Sequence, residues 1–177
     1  LVVVVALLLM IPLVAMQFTD EVEWTAFDFI AAGILLFGTG LLYELVARKG
    51  GSTAYRGGVG VACAAGLLLI WVNLAVGLIG SEDNPANALY CAVIAVGLIG
   101  VSISSLKPRG MALSMFATAA VQALVPVIAM VIWQPPFTLG LVQVLGANTL
   151  FVSLWVISAS LFRHAATKEP KLEQRTA

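Results

Sequence analysis

Between Arg56 and Ser81 the chain runs for 24 residues without a charged side chain. As a helix rising about 1.5 Å per residue, that run is about 36 Å long, enough to cross the ~30 Å hydrocarbon core of a bilayer. Ser81, Glu82, Asp83 and Asn84 break it. A second apolar run, Ala86 to Leu106, then ends at Lys107, Pro108, Arg109 and Gly110. Asn84 is a good helix N-cap, and Pro85 is pre-shaped for the first helical position. Acid thus marks one face of a slab and base the other. Backbone inside lipid must satisfy its own hydrogen bonds, which restricts runs of this length to helices.

The same reading extends along the whole chain. Apolar runs fall at about 1–17, 24–47, 57–80, 86–106, 111–133 and 140–166, followed by a polar tail, 167–177, expected to fray. The predicted fold is all-α: a polytopic membrane helix bundle of six transmembrane helices joined by short turns, forming one domain over residues 1–166. The chain is 61% hydrophobic and only 10% charged, with mean hydropathy +1.05. Soluble domains are about half apolar and about a quarter charged, so this chain has too much apolar surface to hide in water. The first run, LVVVVALLLMIPLVAM, is short for a span. A secretory signal peptide competes for it, because such apolar regions are about 7–15 residues long. No basic residue precedes the run and no small-x-small site precedes Gln17, so a retained helix kinked at Pro12 is expected.

Orientation follows from charge. On the six-span reading, Arg48, Lys49, Arg56, Lys107, Arg109, Arg163, Lys168, Lys171 and Arg175 all fall on one side, and these are all nine Lys and Arg. The positive-inside rule then predicts a multi-pass protein of the inner (plasma) membrane with both termini cytoplasmic. Asp20, Glu21, Glu23, Glu82 and Asp83 face the other side. An aromatic belt would place Trp24, Tyr90 and Trp133 near the outer boundary, with Tyr43 and Tyr55 near the inner one.

Polar residues inside the runs are the candidates for function. Counted from the outer ends, Asp28 and Gln143 lie ~6 Å deep, Asn73 and Asn148 ~10–12 Å, and Gln122 ~16 Å. These five define a candidate outer-half polar pocket, with Asp28 and Gln143 at its mouth. The competing reading of the amides is interhelical hydrogen-bond glue. Either way Asn73, Gln122 and Asn148 are expected to face the bundle interior and to meet directly or through water, because an amide facing lipid is costly. Asp28 also completes a capping box with Thr25, and Glu44 has Arg48 one turn on. The inner half offers mainly hydroxyls (Ser102, Ser104, Ser114, Thr118, Ser153, Ser158 and Ser160 among them), which readily bond to their own helices. Gly58-x-x-x-Ala62-x-x-x-Gly66 and Ala119-x-x-x-Ala123 are small-residue seams that let helices, or subunits, approach closely.

Several classes of chemistry are poorly supplied. His164, the single histidine, sits at a helix end beside Arg163, so no Ser/His pair is expected in a cavity. Cys63 and Cys91 lie near opposite faces, and no spacing suits a metal, so neither a metal nor another cofactor is expected. The zero net charge gives no nucleic-acid footprint. Asn84-Pro85-Ala86 matches the triplet that opens each half-helix in aquaporins. Here it occurs once, at the membrane surface, where an N-cap followed by Pro explains it. AVGLIG occurs at Ala75–Gly80 and again at Ala95–Gly100, at different depths, which reads as compositional bias more readily than as an inverted repeat.

The turns SEDNPAN, after WVNLAVGLIG, and KPRGMA resemble those of a group of small bacterial integral membrane proteins. The resemblance implies a bacterial inner membrane and no particular activity. Two functions are therefore expected of these residues. The first is a non-enzymatic accessory or scaffolding subunit, or a homo-oligomer, with membrane lipid and a membrane subunit as partners. The second is a small transporter or binding protein for a polar or amphipathic solute.

Overall fold

The computed structural model describes residues 1–19, 22–80, 83–134 and 137–176, with side chains through Thr167. Every described element is helical: α1 (Val2–Ala15), α2 (Ala26–Ala47), α3 (Thr53–Ala75), α4 (Leu89–Ile103), α5 (Pro108–Trp133) and α6 (Leu139–Thr176). A single 3₁₀ turn, Pro85–Ala88, leads into α4. The chain is an all-α protein, and its described residues form five helices long and apolar enough to cross a membrane, the 3₁₀ turn counting with α4. The exception is α1, whose 14 residues extend about 21 Å, less than the thickness of the hydrocarbon core.

Two compact units are present, residues 1–45 and 46–177. In the first, Asp28 closes the capping box expected from Thr25-x-x-Asp28. Its carboxylate accepts from the Thr25 backbone N–H at 2.7 Å and from the Thr25 hydroxyl at 2.8 Å, while Thr25 Oγ1 accepts from the Asp28 N–H at 3.4 Å. Gly33 of α2 lies beside Leu9 of α1. Val5 and Ala32 are buried, and Val3, Leu7, Ile11, Phe27, Ile30 and Ile34 are exposed. Those are the side chains a bilayer would cover.

In the second unit α3 packs along α6, α6 along α5, and α5 along α4. Its core contains Tyr55, Leu69, Val93, Met115, Trp155 and Phe162. Small residues set the helix spacing. A Cβ on Gly58 would stand 3.2 Å from the Phe162 ring, and Gly66 lies against Trp155. The Gly58 carbonyl accepts from Ser158 Oγ at 2.8 Å. The Gly58–Ala62–Gly66 seam is thus filled from within, by α6. A second close approach joins Gly97 and Gly100 of α4 to Thr118 and Ser114 of α5. Of the expected α5 seam, Ala119 is buried and Ala123 exposed.

Three features depart from the sequence reading. The run expected to be helical over 57–80 forms a helix over Thr53–Ala75, and Val76 to Gly80 is a loop with positive φ at Gly77 and Gly80. The cause is the packing order. Because α3 lies along α6, its link to α4 has to pass over the ends of α5 and α6, which a straight helix cannot do. Tyr55 and Tyr90 do not stand in an aromatic belt but are 1% and 2% exposed. Tyr55 donates to the Leu106 carbonyl at 2.8 Å and packs edge-on against Phe162. Finally, residues 167–176 continue α6 where fraying was expected. Lys, Glu, Leu, Gln and Arg dominate that stretch and are all good helix formers.

Candidate functional site

At the end of the second unit where the loop after α3 leads into α4 is a cavity of about 450 Å³, within the ordinary range for small-molecule sites. The Gly77–Gly80 loop and Asn84 wall one side. Pro126, Ala129, Met130 and Trp133 of α5 and Gly140, Leu141, Gln143, Val144 and Ala147 of α6 form the others, with Thr138 at the start of α6. Asn84, Thr138 and Gln143 bring polar side chains, and no charged residue is among the described lining.

The local sequence explains how the loop is held. Asn84 caps the 3₁₀ turn, accepting from the Ala86 N–H at 2.9 Å, with Pro85 at the first position as expected. That places Asn87 against the loop. Its Oδ1 accepts from the N–H groups of Leu78 and Ile79 at 3.0 and 2.8 Å, and its Nδ2 donates to the Ile79 carbonyl at 3.4 Å. One amide thereby replaces the helical hydrogen bonds that the end of α3 gives up. Gly77 and Gly80 turn the backbone on either side, at φ 70° and 73°.

Beneath the cavity lies a buried polar layer. Asn148 of α6 is one residue beyond Ala147 and one turn beyond Val144, and Gln122 of α5 is one turn before Pro126. Both therefore continue the lining faces deeper. Asn148 Oδ1 accepts from Gln122 Nε2 at 2.9 Å and from the Tyr90 hydroxyl at 3.0 Å. Asn148 Nδ2 donates to the Tyr90 oxygen at 2.8 Å and to the Val144 carbonyl at 2.9 Å. Asn148 thus joins three helices, and the Tyr90 hydroxyl either donates to its Oδ1 or accepts from its Nδ2. Gln122 is fully buried, and its Oε1 has no partner among the described residues. Pro126 in addition lacks the N–H that would bond the Gln122 backbone carbonyl.

The five candidates are placed unequally. Gln122 and Asn148 face the interior and meet, and Gln143 lines the cavity from an exposed position. Asn73 is half-buried and does not join them: its Nδ2 donates to the Leu69 carbonyl of its own helix at 2.8 Å, and its Oδ1 is unpartnered. The expectation that all three deep amides meet directly is corrected there. Because α3 stops at Ala75, Asn73 lies in its last turn and not two turns down. Asp28 belongs to the first unit and bonds with Thr25.

Tyr90 and Asn87 are the functional residues that sequence reading missed. Tyr90 did leave a signal, since Tyr90, Val93, Gly97 and Gly100 recur at helical spacing and so share the face that meets α5. Asn87 left none, because its partners are backbone groups of a loop.

The hydroxyls that the sequence reading assigned to the inner half behave as expected. Ser102, Ser104, Ser114, Thr118, Ser153 and Ser160 donate to carbonyls of their own helices, three or four residues back. Ser158 instead crosses to Gly58. His164 is exposed, and the described residues contain no group of His, Cys, Asp and Glu able to hold a metal ion. No family model, curated protein or solved structure matches this chain.

Proposed function

We propose that this multi-pass membrane protein is a non-enzymatic binding protein for a small amphipathic solute, held in the outer-half cavity of the second unit. The observation that carries the reading is a 450 Å³ space walled by apolar side chains, with three polar groups on its lining and a hydrogen-bonded layer beneath it. Binding is favoured over transport because the inner-half hydroxyls are engaged with their own helices, which leaves no continuous polar lining across the bilayer. Binding is also favoured over subunit scaffolding, because the Gly58–Ala62–Gly66 seam is occupied by α6 and is not free for a second chain. On this proposal the protein sits in a bacterial inner membrane with its C-terminus and the Arg48–Arg56 and Lys107–Arg109 turns cytoplasmic, as its one-sided Lys and Arg suggest.

A headgroup-free alkyl diazirine, photolysed with the protein in lipid nanodiscs, tests it. Labelling should concentrate on peptides carrying Met130, Leu141 and Val144, saturate, and fall at least severalfold in Val144→Trp, which fills the space. Labelling that never saturates, or that spreads evenly over the lipid-facing helices, would reject the cavity as a binding site.

A further inference from the structure

We infer that the end of the second unit where α3 begins, opposite the cavity, is a docking surface for the headgroups of anionic phospholipids. One ring assembles it. Tyr55, in the first turn of α3 and 1% exposed, donates to the Leu106 carbonyl at 2.8 Å, packs edge-on against Phe162 of α6 and lies against Gly50. Those contacts draw together three separate segments of the chain, and each brings cations with it. Lys49 precedes Gly50, Arg56 follows Tyr55, Lys107 and Arg109 follow Leu106, and Arg163 follows Phe162. All five are exposed. No described carboxylate of the second unit offsets them, since the one there, Asp83, lies beyond the far end of α3. Like charges gathered on one face repel one another, and a multivalent anionic surface relieves that repulsion.

The occupant follows from what adjoins the charges. Ile99 and Ile103 in the last turns of α4 are 58% and 78% exposed, and Leu113, one turn past Arg109 in α5, is 71% exposed. A ligand that fits both features has an anionic head joined to apolar chains, with its phosphate at Lys107 and Arg109 and its chains along α4 and α5. A free phosphate or an acidic soluble protein would meet the cations and leave those aliphatic side chains uncovered. Lys and Arg also carry their charge on apolar stems, which lets the charge reach headgroup level from the edge of the hydrocarbon. Phosphatidylcholine brings its own ammonium beside the phosphate, so headgroups with net negative charge are preferred.

The test reads the lipid composition beside the cluster. In a background lacking Cys63 and Cys91, Ile103→Cys carries a bimane label, and Val131→Cys, exposed near the other end of α5, is the control. The protein is placed in phosphatidylcholine vesicles containing a fraction of nitroxide-bearing phosphatidylglycerol or nitroxide-bearing phosphatidylcholine, either of which quenches the label on contact. At Ile103 phosphatidylglycerol should associate at least about fivefold better, the equivalent of one cation near the surface, and at Val131 the two lipids should be equal. Raising the salt from about 0.05 to about 0.5 M should remove most of the preference. Lys107→Gln with Arg109→Gln should abolish it, while Lys107→Arg with Arg109→Lys should keep it. Arg56→Gln with Arg163→Gln gives the same loss through α3 and α6, should the first pair fail to fold. Equal association of the two lipids at Ile103, an equal preference at both labels, or a preference that outlasts both Gln pairs would overturn the assignment. Displacement of the lipid by glycerol phosphate would also overturn it, in favour of a soluble anion.

Discussion

Asn148 links α4, α5 and α6 through one side chain, and the reason is its donor and acceptor inventory. An amide offers both an acceptor oxygen and a donor nitrogen, and here they reach Tyr90 on α4, Gln122 on α5 and Val144 of α6 itself. Replacement by Leu strands the buried Tyr90 hydroxyl and Gln122 amide. Each unsatisfied buried group costs about 1–3 kcal/mol, so Asn148→Leu should lower unfolding free energy by about 2–4 kcal/mol. Tyr90→Phe removes one partner only and should cost about 1 kcal/mol. Chemical denaturation in detergent measures both, with the exposed Thr149→Val, one position along α6, as the control. Equal effects at Asn148 and Thr149 would show that the network carries no stability. Asn148 and Gln122 were legible in the sequence, because an amide deep in an apolar run must turn inward. Tyr90 was legible only as part of the Tyr90–Val93–Gly97–Gly100 face; that its hydroxyl joins the amides was not, because the same ring suits an interface and a core equally well, and only its neighbours decide.

Among the elements, AVGLIG separates local preference from context. At Ala95–Gly100 it lies within α4, while at Ala75–Gly80 only Ala75 remains helical and both glycines take positive φ. The hexapeptide permits both conformations because Gly reaches positive φ at no steric cost. In α4 its two glycines meet Thr118 and Ser114, and at the end of α3 the Asn87 amide meets its loop backbone. A methyl group added at Gly100 would stand 2.7 Å from Ser114 Cβ and 3.3 Å from its Cα. Gly100→Ala should therefore cost about 1–3 kcal/mol through overpacking. Gly38 of α2 has open space around it, and Gly38→Ala should be neutral or stabilise by up to about 1 kcal/mol. Unfolding midpoints of the two variants check the contrast, and a reversed order would refute the packing account.

For the whole molecule, the one-sided distribution of Lys and Arg leads to a topology prediction. Single cysteines at Thr53 and Asp83, both exposed, in a background lacking Cys63 and Cys91, should react from opposite sides of the membrane. An impermeant thiol reagent added outside intact cells should label Asp83→Cys and spare Thr53→Cys; equal labelling would refute the orientation. What the sequence by itself determined is the class of fold, all-helical with apolar runs of membrane-spanning length; of the six runs read as spans, five form helices long enough to cross. Burial of peptide groups in lipid admits few structures, and the runs between charged turns are of the required length. It also determined the caps at Thr25–Asp28 and Asn84–Pro85, since capping depends on residues within one turn of each other. Only the tertiary structure decided that α3 lies along α6, that its last residues become the wall of a cavity, and that Tyr90 completes the amide layer. Those outcomes depend on which helix faces pack together, and helices with apolar residues on every side leave that choice to glycine clefts and buried polar partners far apart in the chain.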